Sequence, residues 1–450
     1  MDIKQWEDKN LSHFSYAVLS ESEKKVVLID PARNPQPYYD YAKQHGAQIV
    51  AVIETHPHAD FVSSHLEIAE VTGAIIYVSK LVHAQYPHQT FDEGDQIAIG
   101  KIRLSAINTP GHSPDSISVK LEHEDKIEAI FTGDTLFIGD CGRPDLREGA
   151  GNIKATRHDL AKQMYYSLRE KLATLPGETK VYPAHGAGTL CGKSLSKAHS
   201  STIAAERKTN WSLQEATEEE FVTNLLTDQP FVPLYFPYDV ELNRKGAPAF
   251  NQSIKKVNIA GEISNEESAQ RLNPALWMID ARKADTYKKG HLPHSINLME
   301  EGKFETWLGS IIKPGEKFYL GGESETQLKN LIARTAAIGY EEQIEAAFVI
   351  NYGQQHAAEF NLNTFKAQQE NYTIIDVRNP SEVKEGKPFS NSLSIPLAEV
   401  RERVGEIPTD KPLVVHCAGG YRSAAASSLL QSTLNGKAIV FDLGEAVKAF

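Results

Sequence analysis

An α/β architecture in three modules is what this chain of 450 residues predicts, and three observations carry the prediction. At roughly 150 residues per domain, the length favours about three domains over one oversized core. Through the first half, short apolar runs alternate with helix-like stretches. In the second half one strand motif occurs twice, 96 residues apart.

Composition narrows the functional classes. With 47 Lys+Arg against 59 Asp+Glu, the formal net charge of −12 argues against a nucleic-acid binder and against docking on an anionic membrane. Hydrophobic content of 41% and charged content of 24% are ordinary for globular protein, and no stretch has the apolar length of a membrane span. The opening MDIKQWEDKNLSHFSY lacks an apolar signal region and an Arg-rich transit pattern, so a cytoplasmic location is expected. Three cysteines, Cys141, Cys191 and Cys417, are too few and too scattered for a disulfide framework.

Taken in order, Lys25 to Asp30 (KVVLID) reads as a strand, Tyr38 to His45 as a helix and Ile49 to Ile53 as a strand. The segment ETHPHADFVSSH follows, presenting His56, His58 and Asp60 in alternation, with His65 further on. Three later apolar runs finish in the same way. Ile102 to Ile107 leads to His112 in TPGHS, Ile127 to Phe131 to Asp134 in FTGDT, and Val181-Tyr182 to His185 in YPAHG. One such histidine alone is usually a satisfied core or surface residue; four strand ends furnished with imidazole or carboxylate point to a metal. Leu195 to Asn210 and Glu218 to Leu226 read as helices, and FVPLYFPYDVELNRKGAPAF, interrupted by prolines, as a connector. From about Val257 the repeat begins. LWMIDAR carries Asp280 and Arg282, YTIIDVR carries Asp376 and Arg378, and 41 positions separate Asp280 from Gly321 and Asp376 from Cys417.

The metal constellation resembles the metallo-β-lactamase superfamily, whose four-layer αβ/βα fold uses H-x-H-x-D-H and three later ligands. Phe61 stands where that pattern has its last histidine, and a phenyl ring cannot coordinate. Within the superfamily, TPGHSPDS, FTGDTLFIGDCGRPDL and VYPAHG are most similar to the persulfide dioxygenases. That resemblance implies one Fe(II) per chain held by His56, His112 and Asp134, with His58, Asp60 and His185 orienting ligands or water. Arg143, in CGRPD, is a candidate for holding a carboxylate of the thiol substrate; a structural salt bridge to Asp145 or Asp140 is the alternative. Cys141 and Cys191 read as small buried residues, Cys191 with possible redox sensitivity from its place near the site loop.

In PLVVHCAGGYRSAAASSLLQ an apolar strand runs into Cys417, a glycine-bearing loop follows, and a helix begins near Ser423. Backbone N–H groups and the helix N-terminus favour a thiolate there, and Arg422 adds a charge. The loop Cys417, Ala418, Gly419, Gly420, Tyr421, Arg422 resembles that of the rhodanese sulfurtransferases, where the cysteine carries a persulfide. It is one residue shorter than the Cys-x5-Arg loop of related phosphatases, which favours sulfur over phosphate. The preceding copy resembles an inactive rhodanese, with Gly321 in place of the cysteine; His291 and His294 in it read as turn and surface residues.

The expected organisation is therefore a metallo-β-lactamase-fold domain at 1–245, an inactive rhodanese-like domain at 246–355 and an active rhodanese domain at 356–450. The combined resemblance implies sulfide detoxification. O2 oxidises a persulfide of glutathione, coenzyme A or a similar thiol to sulfite at the iron, and Cys417 passes persulfide sulfur to sulfite to give thiosulfate. Tethering raises the effective concentration of the shared intermediate. A homo-oligomer is expected; nucleic acid and membrane partners are not. A dinuclear-zinc thioester hydrolase and a non-oxidising persulfide relay or sensor are the alternatives.

Overall fold

The computed structural model describes residues 1–148 and 155–450. These divide into two compact units: Met1–Gln252 with Ala336–Gly339, and Ser253–Thr335 with Tyr340–Phe450.

Among the described residues, the first unit holds two six-stranded sheets. One runs Asp2–Asp8, His13–Ser20, Lys25–Ile29, Gln48–Ile53, Ile75–Val78, Gln89–Thr90, antiparallel through the first three strands and parallel beyond. The other runs Ser201–Thr202, Lys180–Pro183, Lys126–Gly133, Ile117–His123, Ile102–Asn108, Gln96–Ile99. Strand alternation explains how they stack. Val27 and Ile29 face inward with Phe14, Leu104, Val119 and Phe131, so both sheets contribute to a central core. The intervening Val26 and Leu28 face outward, against Tyr38 and Tyr41 of the helix Gln36–Gln44 and Ile68 of the helix His65–Thr72. On the far side, Ile130 and Val181 pack on Ala161 and Met164 of the helix Arg157–Tyr166. The result is the four-layer αβ/βα arrangement, with strands buried on both faces reading as continuous apolar runs.

Two segments differ from expectation. The proline-bearing connector contains a helix, Phe236–Lys245, with Pro237 at its first turn, where a missing N–H costs nothing. Phe236, Val240, Asn243 and Arg244 are buried along it, a 3–4 spacing that the prolines mask. Conversely, only Ile203–Thr209 of the expected helix around Leu195 to Asn210 is helical, starting where the Thr202 hydroxyl caps Ala205 N–H.

The second unit carries two parallel sheets. The first orders Ile259–Ile263, Ile344–Ile350, Phe318–Gly322, Trp277–Asp280, Ser295–Asn297; the second orders Leu393–Ser394, Thr373–Asp376, Leu413–His416, Val440–Asp442. Their registers correct the repeat. Asp280 pairs with Gly321, whereas Asp376 pairs with His416, so the structural counterpart of Cys417 is Gly322. The hydrogen bonds from Ala281 N to Gly321 O (2.9 Å) and from Val377 N to His416 O (3.0 Å) fix the same equivalence.

Candidate metal centre and sulfur-transfer loop

The strand Gln48–Ile53 delivers Glu54 to Asp60 into the interior, where every residue of the segment is buried. Asp30, ending the neighbouring strand, accepts from Thr55 N (2.7 Å) and Thr55 Oγ1 (2.8 Å). With its hydroxyl hydrogen so committed, Thr55 Oγ1 accepts from His56 Nδ1 at 3.0 Å, which leaves the Nε2 lone pair free. His112 Nδ1 donates to Arg143 O at 2.9 Å, with the same consequence for its Nε2. Asp134 is brought in by Gly133, whose φ of +51° suits glycine and whose added Cβ would lie 2.6 Å from Thr55 Oγ1.

The three ligand atoms converge. Asp134 Oδ2 lies 3.5 Å from His112 Nε2 and 3.8 Å from His56 Nε2, and it has no hydrogen-bond partner. Bonds of about 2.1 Å from a common ion would separate neighbouring ligand atoms by roughly 3–4 Å, so these residues fit a metal. Two imidazoles and one carboxylate supply borderline donors and leave positions open. Burial lowers the pKa of His56 and His112, keeping both neutral and ligand-competent. Burial opposes the Asp134 carboxylate, but His185, His112 and His56 outweigh it and hold the group well below its usual range.

His185 Nδ1 meets Asp134 Oδ1 at 2.8 Å, orienting the carboxylate so that Oδ2 faces the imidazoles. Burial disfavours its charged form, yet Asp134 and Asp60 raise its pKa well above the ordinary value. His58 turns Nε2 to Asp30 Oδ1 at 3.1 Å, and Glu54 Oε2 is 4.0 Å away. Phe61 is buried between the rings of His13 (3.8 Å) and His58 (4.3 Å). His65 sits beside Glu54 instead, with Nδ1 3.7 Å from Oε1.

Arg143 does not present its guanidinium to the site. It is 1% exposed, and its five N–H groups go to Asp145 and to the carbonyls of Leu190, Pro230 and Phe231. A fork with every donor committed cannot hold a substrate carboxylate, so the salt-bridge alternative describes it. Its main chain orients the site: the carbonyl receives His112, and the N–H donates to Cys191 O at 3.0 Å. Cys191 thereby reaches Asp60 and His185, a cluster that sequence spacing did not reveal. Burial and the Asp60 and Asp134 carboxylates push its thiol pKa up. Cys141 is buried too, its thiol pushed up by burial and Asp140. Asp30 and His13 were also missed. Asp30 carried the signal used elsewhere, an acidic residue ending an apolar run; His13 carried none.

In the second unit, the strand Leu413–His416 leads into Cys417, whose Sγ accepts from Gly420 N at 3.1 Å. Gly420 has φ +98°, and the helix Tyr421–Leu434 starts immediately after it, two residues ahead of expectation. Tyr421 OH donates to Met299 O at 3.0 Å, tying the loop to the preceding module. Arg422 makes a two-pronged pair with Glu382 at 2.5 and 2.7 Å, so its charge is shared with a carboxylate. Gly419 to Arg422 line a cavity of about 540 Å³ together with Lys288, Lys303 and Trp307. Behind it, Arg378 forks onto Asp376 as Arg282 does onto Asp280. His291 is buried on Tyr287, and His294 stacks on Trp277, so neither joins a ligand cluster among the described residues.

Comparison with known proteins agrees with this division. The family model for the metallo-beta-lactamase superfamily matches residues 11–185, and that for the rhodanese-like domain matches residues 264–350 and 361–450. A crystal structure of a metallo-beta-lactamase from Staphylococcus aureus subsp. aureus COL superposes with a TM-score of 0.68 at 30% identity, covering 77% of this chain and 98% of that one. Persulfide dioxygenase ETHE1, mitochondrial, from Homo sapiens is 33% identical over 38% of this chain, which spans 63% of that relative's length. The cytoplasmic hydroxyacylglutathione hydrolase of Arabidopsis thaliana matches with the same identity and coverage. Among the described residues, no helix is long and apolar enough to cross a membrane.

Proposed function

From the premise that the chain belongs to the metallo-β-lactamase superfamily and carries two rhodanese-like domains, we propose that it oxidises low-molecular-weight thiol persulfides to sulfite and transfers persulfide sulfur at Cys417 to form thiosulfate. The observation that carries this reading is the convergence of His56 Nε2, His112 Nε2 and Asp134 Oδ2 in a site where Phe61 removes one nitrogen ligand. An iron ion held by those three atoms would supply O2 activation beside the outer sulfur of the substrate. The chain's own part is orientation. Thr55 and the Arg143 carbonyl keep His56 and His112 in the Nδ1–H tautomer, and His185 holds its Nδ1 proton against Asp134 Oδ1.

At the second site a Cys417 thiolate, receiving the Gly420 N–H, attacks the outer sulfur of R–S–SH. The S–S bond breaks, RSH leaves, and Cys417 keeps the persulfide. Sulfite then attacks that outer sulfur, releasing thiosulfate and restoring the thiolate. The human relative supports the oxidation, whereas the Arabidopsis relative is equally similar, so the metal decides between them.

Anaerobically prepared protein should hold about one iron per chain and consume O2 with a thiol persulfide. Two zinc ions per chain with thioester hydrolysis and no O2 uptake would establish the hydrolase instead. His112→Ala should lose iron and O2 uptake while sulfur transfer from persulfide to added sulfite continues.

A further inference from the structure

We propose that the rhodanese-like module without a cysteine holds the sulfur-transfer loop of the other module in place, with Tyr421 as the positioning residue. The inference rests on sulfur transfer at Cys417 as proposed above.

Left to itself the loop is weakly fixed. Glycine has the widest backbone freedom of any residue, a Cβ on Gly419 would meet nothing within 4 Å, and Gly420 gives the following helix no side-chain cap. Gly420 N–H must nonetheless stay on Cys417 Sγ. The restraint comes from the next residue. Tyr421 OH donates to Met299 O at 3.0 Å, and its ring lies so close to Gly302 that a Cβ there would sit 3.0 Å from the ring carbon Cε2. The helix behind Tyr421 is held on the same side: Ser428 Oγ accepts from Asn297 N at 2.8 Å, and Ser432 Oγ donates to Ser295 O at 3.1 Å. At 3.6 residues per turn, positions 421, 428 and 432 fall on one face. Ser295–Asn297 is an edge strand of its sheet, so the helix covers that edge and is fixed by it. The anchor is braced in turn. Arg334 donates to Glu300 O at 2.6 Å and forks onto Glu305 at 2.5 and 2.7 Å, on either side of Gly302. Met299, Gly302 and Trp307 line the same cavity as Gly419 to Arg422, so the tether lies in the wall against which the persulfide would react. A loop tied to a rigid segment keeps its reacting atom in register, which a pair of glycines alone does not.

Initial rates of thiosulfate formation from glutathione persulfide and added sulfite, in the full-length protein, test the tether from both ends. Tyr421→Phe keeps the ring and removes the hydrogen bond. Its kcat should fall by about 10-fold or more with KM for the persulfide within about 2-fold, because misplacing a reacting atom by about 1 Å can cost about 100-fold. Gly302→Ala, a change in the module without a nucleophile, should push on the Tyr421 ring and lower kcat in the same way. Gly315→Ala is the control: its φ of +82° brings comparable backbone strain, its Cβ would meet nothing within 4 Å, and kcat should keep the wild-type value. Wild-type kcat in Tyr421→Phe, a raised KM at unchanged kcat, or equal losses in Gly302→Ala and Gly315→Ala overturns the proposal. Should Gly302→Ala not fold, Tyr421→Phe, which removes a single oxygen, decides. Full transfer in Cys417→Ser would overturn the sulfur-transfer reading and this inference with it, whereas wild-type kcat in Tyr421→Phe counts against this inference alone.

Discussion

The two rhodanese-like modules share their scaffold and part at one loop. Asp280–Arg282 and Asp376–Arg378 form the same fork at the end of the same strand, with closest contacts of 2.6 Å in both. Beyond the strand that follows, the modules diverge. Cys417 is separated from its helix by Ala418, Gly419 and Gly420, whereas Gly322 is separated from the helix Glu325–Ala337 by only Glu323 and Ser324. Where Gly420 N–H reaches a thiol in one module, Glu323 N–H reaches Gln327 Oε1 at 2.5 Å in the other. A Cβ on Gly322 would lie 2.8 Å from that oxygen, and one on Gly321 would lie 2.2 Å from Ile350 Cδ1. The module without the cysteine therefore has a shorter loop and an occupied space, a larger difference than one residue.

Breaking the comparison at the nucleophile should have the largest effect. Cys417→Ser makes both loops unable to carry a persulfide, and enzymatic thiosulfate should fall by at least about 10³-fold. With a thiol persulfide as sole sulfur source, sulfite then becomes the main product at early times, after subtraction of an enzyme-free control, and O2 uptake continues.

The shared scaffold gives the next effect. Removing a buried partner leaves an uncompensated charge, at a cost of about 3 kcal/mol or more. Asp280→Ala should lower denaturant stability by about that much. Asp376→Ala should cost less, because the Arg378 side chain is 11% exposed against 5% for Arg282. Equal losses in urea melts of the two variants would mean that exposure does not govern the fork.

A smaller difference lies in acid. Glu382 pairs with Arg422, while the corresponding positions of the other module are Thr286 and Thr326. Burial works to raise the Glu382 pKa, but Arg422 outweighs it and holds the group below its ordinary range. A depressed folded value means that stabilisation is complete above the unfolded value of about 4.3 and is lost as pH falls through the folded one. Its size is less than about 1 kcal/mol, since the pair is partly solvated. Glu382→Gln should flatten the acid limb of a melting-temperature profile below about pH 4; an unchanged limb would remove the pair from the account. The smallest effect is expected from Gly322→Cys, which should gain no sulfur transfer at all because neither the loop length nor the space is restored. Turnover in a Cys417→Ser/Gly322→Cys double variant would refute that.

Much of this was legible in the residues. Apolar runs ending in His or Asp gave the metal-centre candidates because parallel strands deliver their ends to one edge, and the Asp-x-Arg repeat gave the two later modules. The equal spacing of 41 residues misled by one position: the strand partner of Asp280 lies 41 residues on, at Gly321, whereas that of Asp376 lies 40 residues on, at His416, so equal counts reach Gly321 in one module and the residue after the strand, Cys417, in the other. Arg143 looked like a ligand fork because sequence shows a side chain's chemistry but not which carbonyls surround it. Cys191 was unreadable for the same reason, its neighbours Asp60 and His185 being set by a loop without periodicity.

The Arg143 fork also has a consequence for how the centre is made. Its donors reach carbonyls 87 and 88 residues downstream, at Pro230 and Phe231, while its own carbonyl orients His112. At about 5–20 residues per second of synthesis, several seconds pass between the emergence of the arginine and that of its acceptors. Until then the guanidinium has Asp145 and Leu190 O to bind but lacks the Pro230 and Phe231 carbonyls that complete its set. A nascent chain stalled before Phe231 is therefore expected to display the ligands before this contact of high sequence separation has closed around Arg143.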